Sequence, residues 1–215
     1  TPTGGLTMVH SSGLSAPHIP WNKGKLIGQR PPLKKQEIWS IRVRLELAQK
    51  ARDLALFNLA IDSKLRGCDL VKLRIRDISN GSSISNRAML MQQKTHQPVQ
   101  FEITEQTRNS IKGWLKKTNL KVDDYLFPNR CQPSTHITTR QYARLVKNWV
   151  AMIGLDPSIY GTHSMRRTKA TLIYKQTKNL RAVQILLGHT KLESTVRYLG
   201  VEVDDALEMS ENIEI

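Results

Sequence analysis

His163-Ser-Met-Arg166, His189 and Tyr198 set two imidazoles, a guanidinium and a phenol within 36 residues of chain. Each stands beside a helix signal. Thr162 or Ser164 can cap a helix that carries His163 and Arg166, three apart, on one face of its start. Free backbone N–H groups and the helix dipole make such a start attractive to an anion. A phosphate there would meet an imidazole, a guanidinium and a positive helix end together. His189 follows Gly188, the expected end of the next helix, and Tyr198 is presented by a last turn beginning at Ser194 or Thr195. These groups can transfer a proton, neutralise developing charge and attack a phosphodiester as a nucleophile.

Two more charged groups stand upstream. Arg66 is followed by Gly67, which permits a sharp turn, and by Asp69, whose charge suits the first turn of a short helix. Lys94 opens the connection Lys94-Thr-His-Gln-Pro98 between two alternating runs, 88–93 and 99–103, which read as a hairpin.

The elements that must position these residues are mostly helical. Ile38, Ile41, Leu45 and Ala48 form one amphipathic stripe. Residues 50–63 are apolar nearly all round and read as a buried helix. Leu73, Ile75 and Ile78 suggest a short strand before the turn Asn80-Gly-Ser-Ser. Thr104 is an N-cap for a helix with Ile111, Trp114 and Leu115 on one face. Residues 138–153 form another, with Tyr142, Leu145, Trp149 and Ile153 inward and Gly154 as its stop. The expected fold is α+β, mainly helical, with a small three-stranded antiparallel sheet.

The charge narrows the partners. The chain has a formal charge of +15 and a pI near 10.1. Residues 201–215 carry six acids and no base, which leaves +21 on the other 200 residues. A body this basic meets a polyanion, most often nucleic acid. Residues 1–35 hold five of the nine prolines, five bases and no acid, the composition of a flexible arm. Cys68 and Cys131 make neither a disulfide framework nor a metal motif, so a reducing compartment is expected. No window approaches the length of a membrane span.

At this point the chain resembles the catalytic domain of the tyrosine recombinases, the phage-integrase family. His163-Ser-Met-Arg166 is similar to their His-x-x-Arg box, and Leu187-Gly-His189 to their Leu-Gly-His box. Thr195-Val-Arg-Tyr198 is similar to the nucleophile box, nine residues past His189. Leu65-Arg66-Gly-Cys-Asp69-Leu70 is similar to the upstream arginine box, and Lys94 to the mobile hairpin lysine. The resemblance covers residues 36–205 and implies a basic arm at 1–35, a catalytic domain at 36–200 and an acidic tail helix at 201–215. Most members carry a separate helical domain before the catalytic one. Only the short arm stands there, which fits either a cut-out fragment or a minimal form laid out like the fimbrial-switch invertases. Gly200 stands where many relatives have histidine.

The resemblance implies a transesterification that needs no cofactor and no metal. Tyr198 would attack the phosphorus of double-stranded DNA, forming a 3′-phosphotyrosyl bond and releasing a 5′-hydroxyl. Arg66 and Arg166 would neutralise the transition state, His163 would act as base, His189 would bond a phosphate oxygen, and Lys94 would protonate the leaving oxygen. Asp69 would support Arg66, while Arg140, Arg167, Lys169, Lys191 and Arg197 would contact the DNA backbone. Taken singly, His189 is a helix-end residue, Tyr198 a core or surface aromatic and Lys94 a solvated hairpin charge, with Lys64 or Lys72 no worse a candidate. Five boxes in the family's order outweigh those readings. The expected role is integration, excision or inversion of a mobile element at a bacterial nucleoid, in the cytoplasm. The competing readings are a type IB topoisomerase, which nicks and reseals without a partner site, and a DNA-binding regulator that has lost catalysis.

Val203, Ala206, Leu207 and Ile213 form an apolar stripe interleaved with acids. That pattern fits a helix folded back on its own body; the resemblance implies instead docking onto a basic neighbouring protomer, giving a dimer or tetramer on DNA, and the interleaved acids favour the second reading. Deleting the residues after Gly200 is expected to spare DNA cleavage and weaken assembly on paired sites in a gel-shift assay. Unchanged assembly would rule the tail out as the link.

Overall fold

The structure, a computed structural model, describes residues 29–81, 83–200, 207, 210 and 211. The expected arm therefore lies outside the described residues up to 28, and so does most of the tail.

Helix α2 (Ala51–Ser63) forms the centre. Leu56, Phe57, Leu59, Ala60 and Ile61 are all buried, so it needs neighbours on every side. Helices α1 (Lys35–Leu47), α4 (Glu105–Leu115) and α6 (Thr162–Thr177) supply them. From α1 come Ile38, Ile41 and Leu45, the expected stripe. Thr104 caps α4 by accepting the Thr107 N–H. Helix α5 (Thr139–Met152) buries Tyr142, Val146 and Trp149, and Trp149 meets Phe57 edge-on at 5.4 Å. A second, smaller cluster of Ala170, Tyr174, Val183, Leu187 and Leu199 joins α6, α7 (Leu180–Leu187) and α8 (Leu192–Leu199). Tyr198 packs on that cluster.

The β structure is smaller than one three-stranded sheet. Among the described residues it is two antiparallel ladders, β1 (Ser79–Asn80) with β2 (Ser83–Ile84), and β3 (Arg87–Met91) with β4 (Pro98–Glu102). The stretch expected as a strand at 73–78 contributes only a bridge from Arg74 to Tyr125. The Asp77 carboxylate accepts the Arg74 N–H at 2.8 Å and winds Ile75–Asp77 into a 3₁₀ turn. In the longer ladder Met91 pairs with Pro98, which leaves residues 92–97 as the connecting turn.

The turn that presents Arg66 differs from expectation. Its left-handed residue is Lys64, at φ 54°, and Gly67 has no positive φ. Gly67 instead gives close packing, because a Cβ there would lie 3.4 Å from the Tyr142 ring. It starts the short helix α3 (Gly67–Val71). A left-handed lysine costs about 1–2 kcal/mol. Its ammonium offsets that cost inside the protein, donating to the Asp62 carbonyl at 2.6 Å and to both Glu102 oxygens at 2.8 Å. Lys169 of α6 completes the network, 2.7 Å from both Asp62 and Glu102. Asp62 also accepts from Thr104 and Thr107. The network thereby ties α2, β4, α4 and α6 together behind the two arginine-bearing segments.

Burial alone would raise the Asp62 carboxyl, yet the hydrogen bonds from Lys169, Thr104 and Thr107 hold it below its ordinary value. Burial would likewise raise Glu102, which Lys64 and Lys169 hold down. Carboxyls lowered on folding stabilise the protein above their ordinary range, and that contribution is lost as pH falls below about 4. Asp62→Ala removes one of the two carboxylates that hold the part-buried Lys169 and leaves the Thr104 and Thr107 hydroxyls without their acceptor, and is expected to cost about 2–4 kcal/mol in urea unfolding. Asp123→Ala, which removes the exposed partner of Arg76, should cost less than about 1 kcal/mol. Equal losses in the two variants would contradict the internal role of the network.

Candidate active site

Helix α6 begins at Gly161, where Ser164 Oγ accepts the Gly161 N–H at 3.2 Å. Ser164 is therefore the side chain that secures this start. Two residues on, Arg166 is only 2% exposed, and its Nη2 donates to the carbonyl of Leu187 at 2.7 Å. That carbonyl is available because α7 ends there: Gly188, at φ 63°, turns the chain away. Gln92 Nε2 donates to the same oxygen at 3.2 Å. The Gln92 Oε1 accepts from Arg66 Nη1 at 2.5 Å and from the Thr95 hydroxyl at 2.7 Å. Two arginines 100 residues apart in sequence are thus referred to one backbone oxygen. Arg166 Nη1 is buried with no acceptor among the described residues.

Tyr198 stands beside this pair. Its ring meets the His189 ring edge-on, with centroids 5.4 Å apart. The guanidinium carbons of Arg167 and Arg166 lie 5.4 and 5.9 Å from its centroid, a favourable arrangement of cation and ring. The hydroxyl is directed at the His163 carbonyl oxygen across 3.5 Å. Burial pushes the phenol up to about 12, and Arg166 and Arg167 pull it down without overcoming that. The hydroxyl keeps its proton at neutral pH, so attack requires a base.

Both histidines are in the form that can accept a proton. His163 is exposed at the cavity wall, but the protein around it removes part of its solvent and lowers it, and Arg166, Arg66, Arg167 and Arg30 lower it further. Burial, then Arg166 and Arg66, takes His189 down to about 4. His189 Nδ1 lies 3.1 Å from Thr195 Oγ1, which fixes its ring against α8.

The structure brings Arg66, His163, Arg166, His189 and Tyr198 together, and it places Lys94 at their margin. Lys94 is exposed on the 92–97 turn. That turn is anchored next to it, where Asp69 Oδ1 accepts the Gln93 N–H at 3.0 Å and Lys72 donates to Gln93 Oε1 at 2.9 Å. Asp69, expected to support Arg66, makes no hydrogen bond to it among the described residues and holds the lysine turn instead. Of the alternative lysines, Lys64 is sealed in the ion-pair network and Lys72 is tied to Gln93.

The residues expected to touch a DNA backbone divide. Lys191 and Arg197 are exposed and line a cavity of about 610 Å³ that opens beside Tyr198, with His163, Arg30 and Gln29 on its other walls. Arg140 is exposed in the first turn of α5. Arg167 is 6% exposed, lines the same cavity and donates to the Arg30 carbonyl at 2.9 Å, so its charge is directed at Tyr198 and not held free in solvent. Lys169, expected on the DNA backbone, is instead held by two carboxylates in the internal network. A larger groove, about 680 Å³, lies between α1, α2 and α4 and contains none of these residues.

Two contributors were not legible as site residues. Gln92 is fully buried, and its one sequence signal is alternation: Ala88, Leu90 and Gln92 face inward while Arg87, Met89 and Met91 face out. A polar residue in register with apolar ones needs partners inside. The other is the segment 29–33. Gln29 Nε2 donates to the Arg197 carbonyl, Arg30 donates to the carbonyls of Ser158 and Tyr160, and the Leu33 N–H donates to Thr168. The packed body thereby reaches into the stretch read as arm.

The signature of the phage integrase family matches residues 32–204 of the chain. The chain therefore belongs to the phage integrase family, the tyrosine recombinases. It is 28% identical to the probable integrase/recombinase YoeC of Bacillus subtilis, over 74% of this chain and 82% of that protein. It is 31% identical to a tyrosine recombinase of Pseudothermotoga lettingae, over 75% of this chain but 54% of the relative's length. Its fold is similar to that of the XerH site-specific recombinase, solved bound to its difH substrate in a pre-cleavage complex. The TM-score is 0.65 at 20% identity, over 85% of this chain and 55% of the other. Among the described residues no helix is long and apolar enough to cross a membrane.

Proposed function

We propose that this chain is the catalytic domain of a site-specific DNA recombinase that cleaves and rejoins double-stranded DNA through a 3′-phosphotyrosyl intermediate. The observation that carries the reading is the convergence on Tyr198. Two arginines, one with an unpaired buried donor, and two histidines held in the neutral form surround one phenol. No other phenol in the described residues has such company. The tyrosine recombinase relatives and the substrate-bound XerH structure agree with DNA as the partner.

The steps follow from the groups present. A phosphodiester lies between Arg66 and Arg166, whose forked donors hold its non-bridging oxygens. His163 takes the Tyr198 proton, and the phenolate oxygen forms a bond to phosphorus. The bond from phosphorus to the 5′-oxygen breaks, and Lys94 gives that oxygen a proton. His189 donates to a phosphate oxygen. A 5′-hydroxyl from the partner strand later reverses the sequence, so one ester is exchanged for another. Lys191, Arg197, Arg140 and the basic arm would follow the backbone on either side. Assembly into a dimer or tetramer through the acidic tail, and action at a bacterial nucleoid, belong to the same proposal. It is supported by the tail's charge opposite a +21 body.

A nicked duplex that traps the intermediate tests the nucleophile. The chain should become covalently attached to the 3′ end on a denaturing gel, and Tyr198→Phe should form no adduct while binding DNA as before. An adduct with Tyr198→Phe would remove Tyr198 from the mechanism. Plasmid relaxation without exchange between sites would indicate a topoisomerase instead.

A further inference from the structure

Gln92 is the only fully buried amide that touches an arginine of the site among the described residues, and the proposed chemistry gives it no step. Its contacts form a junction. The amide oxygen serves Arg66 and the Thr95 hydroxyl, and the amide nitrogen serves the Leu187 carbonyl that also holds Arg166. Its backbone closes the lysine turn: its N–H donates to the Gln97 carbonyl at 3.0 Å, and its own carbonyl accepts the His96 N–H at 2.9 Å. Gly188 is shaped around it, since a Cβ on Gly188 would lie 3.0 to 3.2 Å from all three terminal atoms of the Gln92 side chain. That approach and the left-handed φ together require glycine immediately before His189.

We infer that Gln92 is a positioning residue, which couples the Arg66 guanidinium and the Lys94 turn to the end of α7 so that both arginines and the proton donor meet one phosphate in register. This rests on the recombinase reading of the site. Two chemical features make an amide the fitting group. It is neutral, so it orients Arg66 without cancelling the positive charge needed at the phosphate; a carboxylate would form an ion pair and compete with the substrate. It is also both donor and acceptor, so it spans Leu187 and Arg66, which a carboxylate or a thioether cannot do. Thr95, one residue past Lys94, hydrogen-bonds the same amide oxygen, which brings the turn and the arginine to a single atom.

The test uses Gln92→Met, which keeps the length and loses all three side-chain hydrogen bonds, and Gln92→Glu, which keeps an acceptor for Arg66 and Thr95 but loses the donor to Leu187. Cleavage of the nicked duplex at saturating DNA is expected to fall about 10²-fold in both, the scale of a misplaced catalytic group, with DNA affinity unchanged in Gln92→Met and weakened in Gln92→Glu, whose carboxylate competes for Arg66. Two readouts do not depend on turnover. In Gln92→Met the backbone amides at positions 92, 93 and 96 should exchange hydrogen faster, while those of α2 keep wild-type protection and report an intact fold. In Gln92→Glu the His163 and His189 imidazoles should titrate at higher pH by NMR, because the Arg66 charge that lowers them is compensated. Gln92→Glu carries the test if Gln92→Met melts below the assay temperature. A variant that cleaves at the wild-type rate overturns the inference, as does wild-type exchange across the turn. If the wild-type protein formed no adduct, the recombinase reading would fall, and the exchange and titration results would still decide whether Gln92 holds the turn.

Discussion

The carbonyl of Leu187 is the fixed point of the site. A helix must end with carbonyls that lack intrahelical partners, and α7 uses one to accept Arg166 and Gln92 at once. Through Gln92 the same oxygen reaches Arg66 and the lysine turn. Four parts of the chain that meet nowhere else in sequence, at 66, 92–97, 166 and 187–189, are registered to within a hydrogen bond of each other. Phosphoryl chemistry places this demand on a protein, because charge stabilisation falls away quickly when a donor is misdirected.

Behind that point stands a charged network and not an apolar wall. Asp62, Lys64, Glu102 and Lys169 hold the left-handed turn before Arg66 against the helix that bears Arg166. Buried ion pairs are poor sources of net stability but are costly to break, which suits them to fixing one geometry. Tyr198 is held differently, on the small apolar cluster shared by α6, α7 and α8. The proposed nucleophile thus rides on the smaller cluster, which shares α6, the helix of Arg166, with the main body.

Much of this was readable from the chain. The helices that carry the site were marked by stripes, caps and glycines, and the residues around Tyr198 by their types and spacing. What was not readable depended on distant partners. Lys64 takes the left-handed turn with its ammonium paired to Glu102, 38 residues away, a partner that the local sequence, with its nearby glycine, does not show. Lys169 looks like a free cation six residues past His163 and becomes internal only when β4 and α2 are packed beside it. Ile75 and Ile78 alternate like strand residues, but a local Asp77 hydrogen bond wins over pairing. Gln92 was hidden for the same reason: its importance lies in a backbone oxygen 95 residues later.

The central claim is that Arg66 and Arg166 act together on the charge of one phosphate beside Tyr198. The most direct measurement compares single-turnover cleavage of an ordinary scissile phosphodiester with that of a methylphosphonate, in which one charged oxygen is replaced by a methyl group. Arg66→Ala and Arg166→Ala should each lose on the order of 10²–10³-fold on the phosphodiester and recover most of that loss on the neutral analogue. A loss of equal size on both substrates would show that these arginines do not act on the charge of the phosphate.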